Sequence, residues 1–239
     1  MKKAILFLLL IAFFPKPASG QVLIGLLFGD KLSTETFHLG VDVGLNLSNL
    51  SGIDGTGVKP GLIFGLLGEW RFADNFYLQP ELLPFYKVGA NKMPPPGSLD
   101  DPPIGELVED KSYSRRMNYF AIPIIVKYAL MEQKLHLGLG PQIGFLSSAT
   151  DTYEGVVTNK ITVDQNVEDT LNGTDAGVVF HAEYKFRGQY GMSVAARFYL
   201  GLTDTIKDNP GDAVYNRVFS LLASIPIGGD PTEEDEDNE

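Results

Sequence analysis

Eight segments of the chain alternate between apolar and polar or small side chains with a period of two residues, and this pattern constrains the fold more than any other feature. From Phe37 to Leu47 every second residue is apolar. A period of two is typical of a β-strand, in which successive side chains point to opposite faces. The segments are 37–48, 61–72, 76–89, 118–129, 135–148, 175–187, 190–203 and 215–227.

Strands of this number and length suffice for a small closed barrel. The segments are twelve to fourteen residues long, and a tilted strand needs about 9 to 11 residues to cross a bilayer. The connections alternate between long ones (49–60, 90–117, 149–174, 204–214) and short ones (73–75, 130–134, 188–189). All long loops therefore lie at one end, as in bacterial outer-membrane barrels. The pattern predicts an all-β fold, an eight-stranded antiparallel up-and-down transmembrane β-barrel at 37–227, with bulges near Pro80 and Pro84.

The direction in which the polar residues face decides between a membrane barrel and a soluble one. A secreted soluble barrel, such as a lipocalin, encloses its apolar residues around a ligand, and it stays as the alternative. Here the long apolar bands and a polar face of both charge signs favour lipid outside and an ion-paired lumen inside. The predicted lumen-facing charged cluster is Asp42, Glu69, Arg71, Glu81, Lys87, Lys127, His181, Glu183, Lys185, Arg187 and Arg197. The predicted lipid-facing residues are Phe64, Trp70, Phe120, Phe180, Tyr184, Phe186 and Phe198.

The chain begins with the features of an exported protein. Lys2 and Lys3 precede an apolar stretch at 4–14, and small residues follow at 18–20. We expect 1–20 to be a signal peptide cleaved before Gln21, which predicts export to the cell outer membrane. An N-terminal membrane anchor is the alternative, although eleven apolar residues are too few to span hydrocarbon. Residues 21–36 form a lead-in segment to which the pattern assigns no structure, and 228–239 form an acidic tail expected to be disordered.

Several segments are similar to those of a known family. They are LFGDKL at 27–32, GVDVGLNL at 40–47, QPELL at 79–83, YFAIP at 119–123 and GLGPQ at 138–142. In their order and spacing the chain resembles the porin-family (PorT-like) outer-membrane β-barrel proteins of Bacteroidetes. The resemblance implies an eight-stranded integral outer-membrane protein from a family mostly without assigned biochemical activity. The chain departs from such barrels at residues 225–227, where its last strand runs out without a terminal aromatic residue.

Composition argues against several kinds of chemistry. A formal net charge of −11 disfavours binding to nucleic acid. Cysteine is absent, which excludes a thiolate metal site and a cysteine nucleophile. No two of the three histidines share a metal-ligand spacing. The pattern places no serine within hydrogen-bond reach of His181, and it does not place the serines nearest to His38 and His136. We therefore expect no catalytic, cofactor-binding or metal site.

These expectations favour a structural, binding or assembly-accessory role in the outer membrane rather than an enzyme. Side chains nearly fill the bore of an eight-stranded barrel, which disfavours free diffusion of solutes through it. A small channel or porin for solutes stays as the alternative. The expected partners are outer-membrane lipids, the outer-membrane assembly machinery and an unidentified extracellular or periplasmic protein. The long loops at 90–117 and 149–174 are the places where a protein partner is expected to bind.

Overall fold

The computed structural model describes residues 36–93, 109–156, 160–186 and 191–227. The predicted signal peptide, the lead-in segment except Thr36 and the acidic tail lie outside the described residues. The strands of the described part are β1 (Phe37–Ser51), β2 (Gly57–Ala73), β3 (Phe76–Asn91), β4 (Glu109–Leu130), β5 (Leu135–Val156), β6 (Lys160–Asn166), β7 (Thr174–Lys185), β8 (Ser193–Gly201) and β9 (Tyr215–Ile227). A 3-10 turn at Glu168–Thr170 precedes β7, and no helix among the described residues is long and apolar enough to cross a membrane.

Eight of these strands form a closed antiparallel ring. Neighbours in the chain pair from β1 through β5, then β5 pairs with β7, β7 with β8 and β8 with β9. The ring closes because β9 also pairs with β1, from Leu39 opposite Ile227 to Ser51 opposite Tyr215. A closed ring leaves none of its strands with an unpaired edge along its full length. The predicted eight-stranded antiparallel barrel is confirmed.

Two long strands and a ninth short one differ from the prediction. β4 and β5 are 22 residues each, so residues 109–117 and 149–156, predicted as loop, are strand. β6 pairs with β5 alone and lies within the segment predicted as the loop 149–174. The two strands continue past the ring because their backbone ladder persists as far as Glu109 opposite Val156. Residues 109–117, 149–156 and 160–166 therefore form a sheet that extends past the ring at the long-loop end. β8, with 9 residues, is shorter than predicted.

A bulge in β3 changes which of its residues face the bore. The register with β4 shifts between Leu83 and Tyr86, and Pro84 and Phe85 are both exposed. The irregularity predicted near Pro84 is confirmed, and it is what proline produces in a ladder, because it lacks the backbone N–H. The one predicted near Pro80 was wrong, because Pro80 pairs with Ile124 in an unbroken register. Beyond the bulge Tyr86 and Val88 are buried, so the alternation continues in the opposite phase.

The two faces of the ring have opposite character. Large apolar side chains on the outer face are exposed on every barrel strand, which forms a continuous apolar band. The inner face holds a buried cluster that includes Ile63, Leu83, Ile125, Val179 and Leu222, together with many buried polar side chains. In water an exposed apolar band of this extent would be strongly unfavourable, whereas in lipid it is satisfied.

The long loops pack over the bore at the end opposite the short turns. Val167 donates its backbone N–H to the carbonyl of Ala149, and Leu171 forms an isolated bridge with Ile206. Val167, Leu171 and Val214 are buried in the same apolar cluster as Leu50 of β1. This end of the barrel therefore has a folded cover with its own small core.

Candidate functional site

The interior of the ring concentrates buried charge, and it is the candidate functional site. Alternation along each strand turns every second side chain inward, away from both water and lipid. Among the residues that sequence predicted for the lumen, those that the structure buries are Asp42, Glu69, Glu81, Lys127, His181, Glu183, Lys185 and Arg197. Burial of so many ionisable groups is tolerated only where they are paired and hydrogen-bonded.

Three residues of the predicted cluster stand apart from this set. Lys87 was predicted to face the lumen, and this was wrong: it lies on the outer face, between the buried Tyr86 and Val88, because the β3 bulge reverses the alternation. Arg71 is half-buried near the end of β2, close to the short turn. Arg187 lies outside the described residues.

The cluster nearest the short turns, which we call the floor cluster, consists of Glu69, Lys127, Glu183, Lys185, Tyr77 and His136. Lys127 has a fully buried side chain, and its Nζ donates to Glu69 Oε2 and, at 2.6 Å, to Glu183 Oε2. Lys185 donates to the other oxygen of Glu69 and lies over the ring of Tyr77. Ser193 Oγ donates to Glu183 Oε1 at 2.5 Å. Four strands are thereby tied together across the bore.

Histidine and carboxylates come together in the floor cluster in a way that resembles a metal site. One potential ligand atom from each of Glu69, His136 and Glu183 lies within 4.8 Å of the others. The Lys127 ammonium, however, binds both carboxylates and supplies the positive charge that a metal ion would bring. These three residues would hold a metal only if Lys127 were displaced, so the donor set fits an internal ion pair better than a metal centre.

A second layer, the middle cluster, centres on Arg197 of β8. Its guanidinium binds Glu81 of β3 with two bonds, Nη1 to Oε2 at 2.8 Å and Nη2 to Oε1 at 2.7 Å. Arg197 Nε also donates to His181 Nδ1 at 3.3 Å, and Nη2 lies 3.8 Å from Asp42 Oδ2. Gln79 donates to Glu81 Oε1 at 2.6 Å. Because β3 and β8 lie on opposite sides of the ring, this bidentate bridge spans the bore.

Above the middle cluster the bore is filled by further hydrogen bonds and aromatic rings. Asn216 donates to Asp175 Oδ2 at 2.9 Å, and Ser220 donates to Asn46 Oδ1 at 2.7 Å. The rings of Tyr86 and Tyr199 meet edge to face with centroids 6.4 Å apart. Side chains therefore occupy the bore between the middle cluster and the long-loop end.

The cover of the bore contains a further ion pair, which we call the mouth network: Tyr113, Arg115, Asp151 and Tyr153. Arg115 donates to both oxygens of Asp151, from Nε at 2.8 Å and Nη2 at 2.7 Å. The Tyr113 hydroxyl donates to Asp151 Oδ2, and the Tyr113 and Tyr153 rings stack with centroids 4.9 Å apart. Burial raises the pKa of Tyr113, and the adjacent Asp151 charge raises it further. The phenol therefore stays protonated and keeps its bond to the carboxylate.

Asp204 organises the loop between β8 and β9 at the same end. Its Oδ1 accepts the backbone N–H groups of Ile206 at 3.0 Å and Val214 at 3.1 Å, and its Oδ2 accepts Asn209 Nδ2 at 2.9 Å. Slight burial acts to raise the pKa of Asp204, but these bonds to the charged form outweigh it and hold the pKa below its ordinary value. One ionised carboxylate thus fixes the fold of the whole loop.

Sequence reasoning missed the mouth network because it treated 90–117 and 149–174 as loops. A signal was present, since Tyr113, Arg115, Met117 and Tyr119 continue the two-residue spacing of β4 and are all buried. His136 was recognised on the polar face of its strand but was not assigned to the charged cluster. Its ring lies 4.9 Å from that of Tyr77, and its Nε2 lies 3.0 Å from the carbonyl oxygen of Gln133.

The residues predicted to face lipid lie on the outer face. Phe64, Trp70, Phe120, Phe180, Tyr184, Phe186 and Phe198 are all exposed there, with Trp70 exposed by 49% and Phe186 by 59%. Several contact other rings, and Trp70 lies 6.3 Å from Phe72 between ring centroids. Four serines of the described part are buried in the bore. Ser193 and Ser224 donate to carboxylates, Ser220 donates to Asn46, and Ser48 donates to backbone carbonyl oxygens. None of these bonds goes to a histidine, so the arrangement is not that of a nucleophile and its base.

Comparison with known proteins agrees with this architecture. A family model described as "Outer membrane protein beta-barrel domain" matches residues 28–207. No curated protein sequence matches the chain. Similar solved structures include Ail of Yersinia pestis (TM-score 0.39, 11% identity, covering 81% of this chain and 99% of Ail). Neisserial surface protein A and OprG of Pseudomonas aeruginosa each have a TM-score of 0.38 and 10% identity, covering 81% of this chain and 97% of theirs.

Identities near 10% and TM-scores below 0.5 carry no information about ligands or partners. The family model is the stronger finding, because it spans most of the chain, including most of the ring. An apolar outer band and a charged, ion-paired interior are what this kind of barrel requires. The chain belongs to the outer-membrane protein β-barrel domain family, and it is an outer-membrane β-barrel protein.

Proposed function

We propose that this protein is a closed outer-membrane scaffold, not a channel and not an enzyme, whose folded long-loop end binds a partner. The observation that carries the proposal is the filled interior. The floor cluster joins β2 and β7 through Glu69 and Lys185, and the middle cluster joins β3 and β8 through Glu81 and Arg197, so each bridges opposite sides of the ring. The mouth network covers the bore above them. A solute would have to break several buried ion pairs in succession to pass.

The entrance at the short-turn end supports the same conclusion. A recess of about 40 Å³ reaches the floor cluster there, lined in part by Glu69, Glu183, Lys185 and Ser193. That volume holds only one or two water molecules. Breaking a buried ion pair costs about 3–5 kcal/mol in proteins, so spontaneous opening of even one cluster is rare.

The long-loop end supports a binding role. β4 and β5 extend past the apolar band, and β6 adds a third strand to this extension. Its inner face is fixed by the Tyr113–Tyr153 stack and by the bidentate Arg115–Asp151 pair. Loops held on a rigid scaffold are where binding residues concentrate, because a preordered surface loses little entropy on association. We infer that this extension faces the cell exterior and contacts a protein there.

Three narrower points belong to the same proposal. The chain is exported through the signal peptide at 1–20, it belongs to the PorT-like branch found in Bacteroidetes, and it contacts outer-membrane lipids and the assembly machinery. The N-terminal residues and the segments at 40–47 and 119–123 support these points. N-terminal sequencing of the membrane-embedded protein is expected to begin at Gln21, and an intact Met1 would contradict cleavage.

Planar-bilayer recording tests the closed scaffold. The folded barrel, inserted as a purified protein, is expected to show no steady conductance at any voltage that the bilayer tolerates. Insertion is verified in the same sample by the heat-dependent gel shift of a folded barrel, and an open porin serves as the positive control. Discrete ohmic steps from the wild-type protein would contradict the proposal and favour a solute channel instead.

A pull-down on intact cells tests the binding role. A variant in which residues 157–166 are replaced by a short Gly-Ser linker removes β6 and leaves the ring unchanged. The wild-type barrel is expected to retain a surface partner that this variant loses, with equal amounts of both proteins in the membrane. Equal capture by both would exclude the β6 region as the binding surface.

A further inference from the structure

β6 has a single neighbouring strand in the part of the chain that the structure describes. It pairs with β5 along its whole length, on the side of β5 where β7 pairs over residues 135–145. Its other side faces no described strand. Such a side presents backbone donors and acceptors, and an extended peptide can pair with them as an added strand. We call this side of β6 the β6 edge.

The register shows which backbone groups of β6 point away from β5. Val167 donates its backbone N–H to the carbonyl of Ala149, and these two residues continue the register of the β5–β6 ladder. They are a hydrogen-bonded pair, and in an antiparallel ladder such pairs alternate with pairs whose N–H and C=O point outward. The outward set is Thr162, Asp164 and Asn166. No described residue forms a hydrogen bond with the backbone groups of these three.

β6 lacks two features that commonly prevent an edge strand from pairing. Its sequence, KITVDQN, contains no proline, and its register with β5 is unbroken, so no bulge twists the edge away. Among the three outward residues, Asp164 alone carries a charge. A single charge disfavours an acidic strand and favours a basic one, but it does not block pairing as such. The β6 edge is therefore able to accept a further strand.

The inner face of the extension ends in an apolar row that is only partly covered. Tyr113 of β4 is opposite Tyr153 of β5, and Tyr153 is opposite Val163 of β6. The two tyrosines are buried and their rings stack, whereas Val163, at the end of the row, packs against the apolar cluster but is only half-buried. An apolar side chain on an added strand would lie beside Val163 and bury the rest of it.

The outer face next to the β6 edge is acidic. Asp164 is exposed and accepts a hydrogen bond from Thr152, and Glu154 of β5, opposite Thr162, lies on the same face. Arg116 also lies on this face, but on β4, two strands from the edge. Opposite charges on neighbouring strands stabilise a sheet, so a lysine or arginine of an added strand is favoured beside Asp164.

A second copy of this chain does not fit the β6 edge. Barrels in one membrane have their long-loop ends on the same side, so their β6 strands run in the same direction relative to the bilayer. Rotation about the membrane normal, which relates such copies, leaves that direction unchanged. An antiparallel pair needs strands of opposite direction, and every strand pair of the described sheet is antiparallel. The added strand therefore comes from a different protein.

From these observations we propose that the β6 edge binds an extended segment of a partner protein as an added antiparallel strand. The backbone of that segment pairs with Thr162, Asp164 and Asn166. Its apolar side chains lie beside Val163, and a basic side chain lies beside Asp164. The inference rests on the proposed binding role of the long-loop end and specifies the chemistry of the partner, whose backbone supplies the hydrogen bonds and whose alternate side chains supply the specificity.

Peptide binding to the folded full chain in a nonionic detergent tests the pairing. The probe is a fluorescent peptide of alternating lysine and valine, KVKVKVK, with both ends blocked. In the antiparallel register its lysines lie on the face of Asp164, and the lysine amides bond with the β6 edge. N-methylation of these amides is expected to weaken binding, measured by fluorescence anisotropy, about tenfold, because each methyl group removes a donor and blocks approach. N-methylation of the valine amides leaves the charge and these donors unchanged, and it is expected to change the affinity by less than about twofold.

Two substitutions at one position test the protein side of the pairing. Thr162→Pro removes an N–H that points away from β5, so it leaves the β5–β6 ladder intact but blocks an added strand. It is expected to weaken binding of the peptide about tenfold, whereas Thr162→Ala, which keeps the N–H, is expected to change it by less than about twofold. Hydrogen-exchange protection of the Val163 amide, which bonds to β5, verifies that β6 is formed in both variants. The heat-dependent gel shift verifies that the barrel is folded.

Equal affinity for the two N-methylated peptides, or equal binding by T162P and T162A, would overturn the edge pairing. Dimerisation of the wild type that T162P abolishes would assign the β6 edge to a second copy instead of a different protein. The pull-down on intact cells separates this inference from the binding role on which it rests. A partner that T162P retains but the 157–166 replacement loses contradicts only the edge pairing, whereas a partner that both variants retain excludes the whole β6 region.

Discussion

Replacement of Lys127 by methionine tests whether the floor cluster holds the barrel together. The Lys127 side chain is fully buried, and its Nζ bridges Glu69 and Glu183, whose side chains are exposed by only 6% and 5%. At the 2.6 Å separation from Glu183, two unit charges attract by about 6 kcal/mol at an effective dielectric constant of 20. Much of that attraction is offset by the cost of removing the charges from water.

The net effect follows from what Lys127→Met leaves behind. Glu69 keeps Lys185, but Glu183 keeps only Ser193 and the rings of His136 and His181, at 3.9 and 3.7 Å. A buried carboxylate that has lost its cation costs about 3–5 kcal/mol, and we expect the free energy of unfolding to fall by that amount. The double variant K127M/E183Q also removes the carboxylate that Lys127→Met leaves without a cation, and it keeps the Glu69–Lys185 pair, so it is expected to recover most of the loss.

Urea titration of the refolded barrel in lipid vesicles, followed by Trp70 fluorescence and by gel mobility, gives the free energies. Unfolding and refolding curves must coincide for the values to be equilibrium ones. Lys134→Met, which removes an exposed lysine of the adjacent turn, is the control and is expected to change stability by less than about 0.5 kcal/mol. If K127M matches the wild type, or if K127M/E183Q is less stable than K127M, the ion-pair argument is refuted. Should K127M fail to refold, folding of K127M/E183Q still distinguishes unpaired charge from lost packing.

Three further outcomes follow from the structure. Trp70, exposed by 49% on the outer face, is expected to be quenched strongly by brominated lipid chains, and quenching by aqueous iodide instead would contradict its place in the band. Asp204→Asn is expected to reduce hydrogen-exchange protection of the Val214 amide about tenfold, since it weakens the bond that this N–H donates. Because folding lowers the pKa of Asp204, the stabilisation that its carboxylate provides is present above the ordinary aspartate pKa and is lost as the pH falls through the folded value. Protection of the Val214 amide in the wild type that stays constant down to pH 2 would refute this pH dependence. Gly140→Ala places a Cβ 1.9 Å from the Ile124 carbonyl oxygen and is expected to cost about 1–3 kcal/mol in the same urea assay; an unchanged midpoint would show that the β4–β5 backbones separate easily.

The ring was predictable because one face of every barrel strand must contact lipid, which leaves a period-two pattern in the sequence. β1 shows how strong that pattern is, since the alternation from Phe37 to Leu47 passes directly into the observed strand. The closure of β1 on β9 follows from the count of strands and the need to pair every backbone group in lipid.

Most of the predictions that were wrong concern residues that do not contact lipid or that lie next to a bulge. Beyond the apolar band no face of a strand contacts lipid, so the outward residues there need not be apolar. In β6 and at the ends of β4 and β5 the sequence therefore lacks the apolar-and-polar alternation that marks the strands of the ring. Pro84 indicated a bulge in β3, but the sequence did not show that the residues after it would change face. Lys87 was therefore assigned to the wrong face. Partners such as Arg197 and Glu81 are 116 positions apart in the chain, and alternation predicts the face of each residue but not its partner.

The seam between β1 and β9 has a consequence for biogenesis. Its ladder joins Leu39 to Ile227, so the first and last barrel strands can pair only after the whole intervening chain has been synthesised. Until then both strands expose unpaired backbone edges and apolar side chains, which promote aggregation. The unfolded chain must therefore be kept from aggregating until it reaches the membrane. Closure of the barrel depends on a late pairing between strands that are distant in the sequence, not only on local hairpins.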